Sequence, residues 1–574
     1  MSELAGADFL RAVRQSATTA QDRGIRFYTS PTAYDEISYA ELDADARARA
    51  VSLKGAGLRE GDVAVLAFEP GLPFIRALMG CLYAGVVVCP APIAATRNMD
   101  AVRDRLEAIA IDAKAKAIIA VPGALESLGV TPDQPFPPVI LVEGPADADP
   151  DRWTVPAVDE DSLAILQYTS GSTGVPKGVM VSFGNLIANQ LAITAVTELT
   201  EDSIGVGWLP HYHDMGLIGQ LIQPIFCGAQ MYLTSPSQFL RRPVLWLRLI
   251  SEFRVTHAVG PDFAFGLCTR LITDEQLADL DLSSLEVVIT GAEPVRMTTL
   301  EAFGERFAPT GFRMQAFVPA FGMAETTLLV TAHRDATPPQ AIRASAAGVE
   351  AGRFFPAEGT ERALAFVPCG PPTQDTEIAI IDPTTSERVG PGDIGEIWVT
   401  GTSVAQGYWN RPDETAAVFH ATIADEPGTR WLRTGDLGVL ADGELVITGR
   451  LKDLIIVRGR NIYPQDLETA AAAFLPPGCL SAAFESESSS TQIGLVAEID
   501  AAKMDPDAVT QLLTAIARQL TDEFTLPGLS VALIRKGSLP RTTSGKVQRA
   551  LTRRLIDRSE LPVISARGFA EVSG

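Results

Sequence analysis

The sequence predicts an α/β protein with a large N-terminal lobe of layered parallel sheets and helices, a small β-rich subdomain and a small α+β C-terminal domain. The first observation is that apolar runs, DVAVLAF (62–68), AIIAV (117–121) and PVILV (138–142), alternate with helical patterns such as 39–58. Continuous apolar strands between helices are typical of parallel sheets that helices cover on both faces. The second observation is the length of 574 residues, which exceeds what one hydrophobic core normally serves.

The third observation is a change of pattern near residue 374. Short strands and turns (EIAIID, GEIWVTG and GELVITGR) follow it and predict a β-rich subdomain over about 374–450. After residue 450 the chain has a helical pattern, DAVTQLLTAIARQLTDEF, and a strand pattern, LSVALIRK, of its own. We therefore predict an N-terminal domain over 1–450 and a C-terminal domain over 451–574, which is close to the usual domain size.

The composition indicates a soluble globular protein, with 46% hydrophobic residues, 20% charged residues and a net charge of −23. That charge argues against general binding to nucleic acid or to anionic membranes. The start of the chain lacks a basic segment before an apolar run, and the least charged stretch (78–95) contains two Gly and two Pro. We therefore predict a cytoplasmic protein without a membrane span. Scattered cysteines without a CxxC pair indicate reduced thiols, and we expect a monomer or a weak dimer.

A loop of small residues, QYTSGSTGVPKG (167–178), follows the strand pattern LAILQY. A Walker A loop reads G-x-x-x-x-G-K-[ST], but here Lys177 is followed by Gly178, so that pattern fails. Glycines let backbone N–H groups turn inward around an anion, and the hydroxyls of Ser and Thr add donors. A flexible surface loop is the alternative. The Pro-Lys-Gly ending between apolar segments favours a phosphate site.

Six motifs together resemble those of the adenylate-forming superfamily, which includes acyl-CoA synthetases, peptide-synthetase adenylation domains and luciferases. They follow that superfamily's order along nearly the whole chain: YTSGSTGVPKG (168–178), TGAEP (290–294), FGMAE (321–325), TGD (434–436), GRLKD (449–453) and PRTTSGK (540–546). Six ordered motifs are far more specific than one glycine-rich loop. The resemblance implies that ATP converts a carboxylic acid to an acyl-adenylate.

The resemblance also implies three residues that serve the reaction. Negative charge gathers around the α-phosphorus while pyrophosphate leaves, so the site needs a cation, hydrogen-bond donors and Mg²⁺. Lys546 is implied as the adenylation lysine, and Glu325 as the Mg²⁺ ligand, because this ion prefers hard oxygen donors. His213 is implied as a gate or positioning residue at the acyl and phosphate entrance.

The same resemblance implies which residues hold ATP. Phe321 would stack on adenine opposite the backbone of residues 291–293, and Asp436 would hold the ribose hydroxyls with Arg450 beside it. The small-residue loop would hold the pyrophosphate half of ATP. The implied nucleotide-binding residues are Thr169, Ser170, Gly171, Ser172, Thr173, Gly174, Lys177, Gly291, Ala292, Glu293, Phe321, Gly322, Met323, Ala324, Asp436 and Arg450.

The stretch WLPHYHDMGLIG (208–219) carries two histidines and could be mistaken for a metal site. His211, His213 and Asp214 begin like the H-x-H-x-D-H ligands of a metallohydrolase. However, Asp214 directly follows His213 and no third histidine is near, so a histidine-bound metal is disfavoured. We interpret His211 as a core histidine.

Four features resemble one branch of the superfamily, the fatty acyl-AMP ligases, which pass the acyl group to a carrier protein. They are WLPHYHDMGLIG with GAEPVR (291–296), Ala324 where CoA ligases commonly carry Thr, GRNIYPQDLE (459–468), and a long stretch between Glu325 and Cys369. Ile462 departs from the histidine often found in the third feature. The extra residues, about 333–363, resemble an insertion that restrains domain movement and disfavours chemistry with CoA. A neutral surface loop is the alternative.

Lys546 belongs to the C-terminal domain, whereas the nucleotide motifs belong to the N-terminal domain. We therefore expect a mobile C-terminal domain that turns about a hinge near Lys452. No LGG-x-S carrier motif follows Lys546, so the resemblance implies a fatty acid substrate and a holo acyl carrier protein that acts in trans. Basic residues between Arg535 and Arg558 are candidates for docking an acidic carrier, and a solvated helix face is the alternative.

One segment of the sequence is a candidate wall of the acyl pocket. Residues 256–270 resemble the wall of the family's acyl tunnel, with Phe263, Phe265 and Leu267 as apolar lining for a hydrocarbon chain.

Three functions stay open at this point. The favoured one is a fatty acyl-AMP ligase that feeds a carrier protein of a polyketide, peptide-synthase or lipid pathway. The second is an acyl-CoA synthetase, which Ala324 and the long insertion disfavour. The third is a catalytically silent module that binds acyl-adenylate, against which the retention of Lys546, Glu325, Asp436 and Arg450 argues.

Overall fold

The computed structural model describes residues 6–93, 99–127, 137–142, 144–169, 176–476, 478–486, 491–541 and 546–569. Its α-helices are α1 (Gly6–Thr19), α2 (Tyr39–Gly55), α3 (Leu72–Ala84), α4 (Met99–Asp112), α5 (Ala124–Ser127), α6 (Phe183–Thr197), α7 (Gln223–Cys227), α8 (Pro236–Arg241), α9 (Val244–Phe253), α10 (Asp262–Leu271), α11 (Asp274–Ala278), α12 (Met297–Phe307), α13 (Ala346–Glu350), α14 (Pro412–Phe419), α15 (Pro464–Ala472), α16 (Pro506–Glu523) and α17 (Arg549–Asp557). A π-helical segment covers Met215–Ile222. Within the described ranges, no helix combines the length and apolarity that crossing a membrane requires.

The strands of the first half are β1 (Gly24–Tyr28), β2 (Tyr34–Ser38), β3 (Val63–Phe68), β4 (Val87–Pro92), β5 (Ala117–Ala120), β6 (Val139–Leu141), β7 (Leu163–Thr169), β8 (Lys177–Ser182), β9 (Ile204–Gly207), β10 (Gln230–Thr234), β11 (His257–Gly260) and β12 (Val287–Thr290). The later strands are β13 (Phe317–Gly322), β14 (Leu329–Ala332), β15 (Ile342–Ser345), β16 (Ala363–Phe366), β17 (Thr376–Ile381), β18 (Gly395–Gly401), β19 (Ala421–Ile423), β20 (Glu426–Ala441), β21 (Glu444–Arg450), β22 (Ile455–Val457), β23 (Arg460–Ile462), β24 (Ser481–Glu485), β25 (Ile493–Ile499), β26 (Ser530–Arg535) and β27 (Val563–Arg567).

Two large sheets form the N-terminal lobe. One has the order β14-β13-β12-β11-β9-β10-β1-β2, and the other has the order β6-β5-β3-β4-β7-β8. Their pairs are parallel except β1–β2, β13–β14 and β7–β8, which are antiparallel. Every residue of β3, β4 and β5 is buried, as expected for parallel strands covered on both faces. The predicted α/β fold class with a parallel-sheet N-terminal lobe is therefore confirmed.

Smaller sheets follow along the chain. Strands β15 and β16 form a two-stranded sheet, and β17 to β21 form an antiparallel five-stranded sheet. After residue 450, β22 and β23 form a hairpin, and β24 to β27 form a four-stranded sheet with a core of its own that includes residues of α15 and α16. The predicted small α+β C-terminal domain is present.

The strand order places several loops at one edge of the first sheet. Strands β9, β11, β12 and β13 are parallel neighbours, so their carboxyl ends lie side by side. In open α/β sheets, ligands bind outside the carboxyl ends of the strands. The segments that leave this edge begin with residues 208, 261, 291 and 323, and they carry most of the predicted site residues.

Candidate active site

The small-residue loop joins the two antiparallel strands at the edge of the second sheet. Thr169 ends β7 and is paired in register with Lys177, the first residue of β8. The predicted loop residues Ser170, Gly171, Ser172, Thr173 and Gly174 lie outside the residues that the structure describes. What the structure shows is therefore the base of the loop, held closed by a strand pair.

The turn that leads to Lys546 is anchored by a buried carboxylate. Glu498 in β25 is wholly buried and accepts hydrogen bonds at 2.9 Å from the backbone N–H groups of Gly537 and Leu539. The same side chain pairs with Arg541 Nη2 at 3.1 Å. Buried charges persist only when they are paired and hydrogen-bonded, so this cluster fixes residues 537–541 of the segment that leads to Lys546.

Lys546 lies among charges that come from the N-terminal lobe. Burial and the neighbouring Arg450 guanidinium lower the pKa of its ammonium, while Asp214, Glu293 and Asp436 raise it. These three carboxylates belong to segments that are far apart in sequence. The structure therefore brings the lysine of the C-terminal domain into the same cleft as the predicted nucleotide-binding residues.

His213 and Asp214 form a coupled pair at the start of the π-helical segment. Nδ1 of His213 lies 2.6 Å from Oδ1 of Asp214, which also accepts a hydrogen bond from Met215 N at 2.7 Å. Although burial opposes ionisation of Asp214, His213 and then Lys546 lower the pKa of its carboxyl below the usual value. Asp214 thus stays a carboxylate that fixes one ring nitrogen of His213 and directs the other away from itself.

Glu325 lies in a short turn directly after β13, and its carboxylate is held by a distant tyrosine. The hydroxyl of Tyr408 donates to Oε1 of Glu325 at 2.8 Å. Burial raises the pKa of Glu325, and the hydrogen bond from Tyr408 opposes that rise. A bound cation would offset the burial of this carboxylate, so the residue suits a Mg²⁺ ligand.

No group of three or more His, Cys, Asp or Glu side chains suited to a metal ion occurs in the described part of the chain. Mg²⁺ usually keeps several waters and takes one or two carboxylates together with substrate phosphates, without a full protein cage. Glu325 supplies one such carboxylate.

Lys177 contacts protein groups at the base of the loop. Its Nζ forms an ion pair with Glu414 and lies 5.1 Å from the centre of the Tyr408 ring. The ring of Tyr408 is the same one whose hydroxyl binds Glu325. The structure thus connects the predicted phosphate lysine to the predicted metal ligand through one tyrosine.

Asp436 and Arg450 face each other across neighbouring strands. They are paired in register between β20 and β21, and Arg450 Nε donates to Asp436 Oδ1 at 2.9 Å. The Asp436 side chain is nearly buried, whereas 54% of the Arg450 side chain is exposed. Burial raises the pKa of Asp436, and Arg450 and Lys546 oppose the rise. One oxygen of Asp436 keeps capacity to accept hydrogen bonds from a ligand.

The segment after β12 has a constrained backbone. A Cβ atom on Gly291 would lie 2.6 Å from the carbonyl oxygen of Ala320, so only glycine allows this close approach of the two strand ends. Ala292 has φ of +65°, a conformation that costs a non-glycine residue about 1 kcal/mol or more and is concentrated at functional sites. Glu293 Oε1 accepts a hydrogen bond at 2.7 Å from the N–H of Phe263 at the start of α10.

Residues 321–324 line the adjoining strand end. Phe321 is 8% exposed and packs in a cluster with Val330, Cys369 and Ile397, which joins the first sheet to the five-stranded sheet. Gly322 and Met323 are half-buried, and Ala324 is 4% exposed. The ring of Phe321 therefore offers a ligand only a limited surface in this structure.

The three apolar residues predicted to line the acyl tunnel do not share one face. Phe265 is completely buried and packs edge-on against Phe303 and Phe317 in the core, so its place in the tunnel wall stays a prediction. Phe263 and Leu267 are half-buried. They are four residues apart on α10 and share a face, whereas residues two apart on a helix point to different sides.

His211 is separate from the charged cleft. Its ring is buried at 3% exposure and lies 3.9 Å from the ring of Phe74, centre to centre. Burial lowers its pKa to about 3, so the imidazole is neutral at physiological pH. Its interpretation as a core histidine agrees with these contacts.

Sequence reasoning missed two residues of this site, Asp214 as the partner of His213 and Tyr408 as the partner of Glu325. Asp214 is adjacent to His213 and precedes an apolar helix-like run, which is the pattern of a capping residue. Tyr408 lies in AQGYWNRPDET, where Gly, Asn and Pro indicate a turn that fixes an aromatic residue. The turn pattern around Tyr408 could not indicate its contact with Glu325, because the two residues are 83 positions apart.

Comparison with protein families matches residues 13–409 to the AMP-binding enzyme family. Because the match covers more than half of the chain, this protein belongs to that family. Among curated relatives, the medium-chain-fatty-acid–acyl-carrier-protein ligase JamA of Moorena producens is 42% identical over 533 residues, which cover 90% of this chain and 89% of JamA. The long-chain-fatty-acid–AMP ligase FadD26 of Mycobacterium tuberculosis is 35% identical over 566 residues, which cover 94% of each chain.

Solved structures give the same result. The fatty acyl-adenylate ligase of Legionella pneumophila, solved with acyl adenylate and pyrophosphate, is 34% identical with a TM-score of 0.75 over 98% of this chain and 97% of that one. A chain from a study of fatty acyl-adenylate ligases of E. coli and L. pneumophila is 32% identical with a TM-score of 0.86, over 96% of this chain and 98% of that one. The resemblance to fatty acyl-AMP ligases that the motifs predicted is thereby confirmed.

Proposed function

We propose that this protein activates a fatty acid with ATP to an acyl-AMP and then passes the acyl group to the phosphopantetheine thiol of an acyl carrier protein. One observation carries the proposal: Lys546 of the C-terminal domain lies among Asp214, Glu293 and Asp436, which come from the loops of the N-terminal lobe. The names of the relatives support both half-reactions. FadD26 is an AMP ligase, which corresponds to acyl-AMP formation, and JamA is an acyl-carrier-protein ligase, which corresponds to transfer to the carrier.

In the first half-reaction, a carboxylate oxygen of the fatty acid forms a bond to the α-phosphorus of ATP. The bond from that phosphorus to the bridging oxygen breaks, and pyrophosphate leaves with the electron pair. The ammonium of Lys546 would neutralise the charge that gathers on the α-phosphate and the carboxylate. His213, fixed by Asp214, would position the acid against the phosphate.

The nucleotide would lie along the strand ends that surround Lys546. Asp436 and Arg450 would hold the ribose hydroxyls, and Phe321 would contact adenine opposite the backbone of residues 291–293. The loop over 169–174 would hold the pyrophosphate half of ATP. Phe263 and Leu267 on α10 are the residues that we assign to the acyl wall, since Phe265 packs in the core.

Mg²⁺ would be held by Glu325, and when bound it supplies positive charge beside the phosphates. The protein's own part is to keep one oxygen of Glu325 directed at the nucleotide. The hydrogen bond from Tyr408 to Oε1 leaves Oε2 for this role.

In the second half-reaction, the thiol sulfur of the carrier attacks the carbonyl carbon of the acyl-AMP. The bond from that carbon to the AMP oxygen breaks, AMP leaves, and the thiol proton passes to solvent. For the thiol to reach the carbonyl carbon, Lys546 must be withdrawn, which a turn of the C-terminal domain near Lys452 would achieve.

A single assay tests the proposal. The protein is incubated with ATP, Mg²⁺ and a series of fatty acids, alone, with CoA or with a holo carrier protein, and products are measured by mass spectrometry. We expect acyl-AMP in the absence of an acceptor and acyl-carrier thioester when the carrier is present, and Lys546→Ala should abolish both. Acyl-CoA as the main thioester would identify an acyl-CoA synthetase, and the absence of acyl-AMP with every acid would indicate a silent binding module.

A further inference from the structure

The segment 405–409 lies between strand β8 and the turn of Glu325. Its backbone is hydrogen-bonded to both, and none of the residues involved is close in sequence to its partner. The bonds are Ala405 N to Glu325 O (2.9 Å), Gln406 N to Met180 O (2.9 Å), Met180 N to Gly407 O (2.9 Å) and Trp409 N to Gly178 O (2.8 Å). Four backbone bonds make this segment a rigid connection between β8 and Glu325.

The backbone just before Tyr408 has little freedom. Gly407 has φ of +129°, and a Cβ atom there would lie 2.3 Å from Thr415 Cγ2. Only glycine is compatible with both conditions. The N–H of Tyr408 donates to Thr415 Oγ1 at 2.9 Å, which fixes the next residue as well.

The side chain of Tyr408 is fixed from three sides. It is 8% exposed, its ring packs edge-on against Phe419 at 5.0 Å between centres, and Lys177 Nζ lies 5.1 Å from the ring centre. Glu414 pairs with Lys177 and holds it in this place. A cation near an aromatic face is attracted to the ring, so Lys177 stabilises this position of the ring.

The fixed position of Tyr408 determines the orientation of the Glu325 carboxylate. A phenol is protonated at neutral pH, so Tyr408 donates to Glu325 Oε1 at 2.8 Å and directs the opposite oxygen away from itself. Partners that orient metal ligands in this manner matter for metal affinity nearly as much as the ligands themselves.

We propose that Tyr408 is a positioning residue that fixes the orientation of Glu325 for Mg²⁺, and that Lys177 and Glu414 hold Tyr408 in place. The proposal rests on the proposed role of Glu325 as a Mg²⁺ ligand. It gives Lys177 a task that acts through the protein, in contrast to the direct phosphate contact that the sequence predicted.

The test compares Tyr408→Phe with the unaltered protein. Binding of Mn²⁺, as a spectroscopic probe for Mg²⁺, is measured by electron paramagnetic resonance in the presence of a non-hydrolysable ATP analogue. Loss of a group that orients a metal ligand should weaken Mn²⁺ binding about tenfold. The affinity for the analogue in the absence of metal should stay unchanged, and the KM for Mg²⁺ should rise more than kcat falls.

Control variants distinguish the positioning role of Tyr408 from the role of Glu325 as a Mg²⁺ ligand. Tyr39→Phe removes a buried hydroxyl that donates to Ala229 O far from the site, and it should leave Mn²⁺ binding unchanged. Glu325→Gln should abolish most of the metal binding. If Glu325→Gln has no effect, the proposed metal role of Glu325 fails. If Glu325→Gln weakens Mn²⁺ binding but Tyr408→Phe does not, the positioning role of Tyr408 is overturned while the proposed function stands.

The link to Lys177 is tested by a double-mutant cycle with Lys177→Met and Tyr408→Phe. If Lys177 acts through Tyr408, the effects of the two substitutions should not add. The Kd of the double variant for Mn²⁺ should then lie within about twofold of the Kd of the single variant that binds Mn²⁺ less tightly. Additive losses, or a loss of metal-free analogue binding in Lys177→Met, would instead show direct contact with phosphate.

Glu414→Gln keeps the tyrosine hydroxyl and disturbs only its support, so it should give a smaller loss of Mn²⁺ binding. If Tyr408→Phe should fail to fold, this variant decides the question.

Discussion

Glu350 accepts two hydrogen bonds from Arg460, whose Nε and Nη2 lie 3.0 and 2.5 Å from the same carboxylate oxygen. Glu350 ends α13 within the stretch 333–363, whereas Arg460 begins β23 after residue 450. Arg362 adds a second connection, because it donates to Glu350 Oε1 at 2.7 Å and its guanidinium carbon lies 4.2 Å from the centre of the Phe524 ring. The stretch that resembles an insertion is thus bound to the C-terminal domain in this structure.

Replacing Glu350 with Gln should loosen this attachment. Hydrogen bonds to charged groups contribute about 1.5–3 kcal/mol each, so we expect local opening to become about tenfold more frequent or greater. Hydrogen exchange should become faster at the amides of residues 342–366 and 460–462. If the attachment restrains the domain as the resemblance implies, the variant should also form acyl-CoA when CoA is supplied.

The matched control for this prediction is Asp393→Asn. Asp393 pairs with Arg353 in the same region, but 65% of the arginine side chain and 42% of the aspartate side chain are exposed. Exposed ion pairs contribute about 0–1 kcal/mol, so exchange should change little. Equal exchange rates in Glu350→Gln and the unaltered protein would show that the stretch is held by other contacts.

Asp466, in the first turn of α15, should make the stability of this region depend on pH. Burial raises its pKa to about 7, Glu350 and Glu468 add to the rise, and Arg362 opposes it. The unfolded chain releases this proton near pH 4 and the folded chain only near pH 7, so the carboxyl destabilises the fold progressively as the pH rises between these values. Asp466→Asn should therefore raise the Tm clearly more at pH 8 than at pH 5, because most of the destabilisation develops above pH 5. A shift in Tm that is the same at both pH values would contradict the assignment.

Adenylation should decline on the alkaline side earlier than for an exposed lysine. Burial and the Arg450 guanidinium lower the pKa of Lys546, so its ammonium loses the proton at a lower pH than usual, and activity falls as the pH rises through that pKa. Lys546→Arg should adenylate more slowly, but its alkaline decline should move upward or vanish because guanidinium stays charged. The measurement is single-turnover formation of acyl-AMP against pH. An unchanged alkaline decline in Lys546→Arg would assign it to another group.

The exposed arginines of α17 should assist the carrier protein. Of the basic residues between Arg535 and Arg558, Arg541 and Arg549 are engaged in ion pairs with Glu498 and with Asp453 and Glu468. Arg553, Arg554 and Arg558 are exposed along one end of α17. Charge reversal in Arg553→Glu with Arg554→Glu should slow loading of an acidic carrier about tenfold at low salt and leave acyl-AMP formation unchanged. Loading that stays unchanged, or an equal loss in both half-reactions, would reject this surface.

Local patterns predicted the elements well where the chain's own periodicity decides them. The helical pattern over 39–58 corresponds to α2, whose start is fixed by a capping box between Ser38 and Glu41. The pattern DAVTQLLTAIARQLTDEF corresponds to α16, because Asp505 caps its N-terminus and one apolar face covers the four-stranded sheet. Such elements depend on residues within one or two turns, which are visible in the sequence.

The contacts that complete the site depend on residues that are remote in the chain. Tyr408 and Glu325 are 83 positions apart, and Glu350 and Arg460 are 110 positions apart. No periodicity or motif connects such pairs, since only the packing of whole sheets brings them together. The motifs identified Lys546, Glu325, Asp436 and Arg450 as a set, but they could not show which side chains orient them.

The last prediction concerns the hinge at Lys452. This exposed residue lies in the short turn Leu451–Asp453 that follows β21, and Asp453 beside it accepts a hydrogen bond from Arg549 of the C-terminal domain at 3.0 Å. Lys452→Pro fixes φ at one residue and restricts the residue before it, so a turn of the domain at this point should be blocked. We expect transfer to the carrier to fall by about tenfold or more while acyl-AMP formation in the closed arrangement stays within about threefold.

The hinge prediction is tested by two rates measured on the same preparation. They are pyrophosphate release without acceptor, and thioester formation from preformed acyl-AMP with a holo carrier. Lys452→Ala removes the same ammonium but leaves the backbone able to turn, so it should retain both rates. If Lys452→Pro and Lys452→Ala lose transfer equally, the side chain matters and the backbone rotation does not. If Lys452→Pro loses both half-reactions to the same degree, the hinge lies elsewhere, because a block at the true hinge would spare the half-reaction for which Lys546 is already in the cleft.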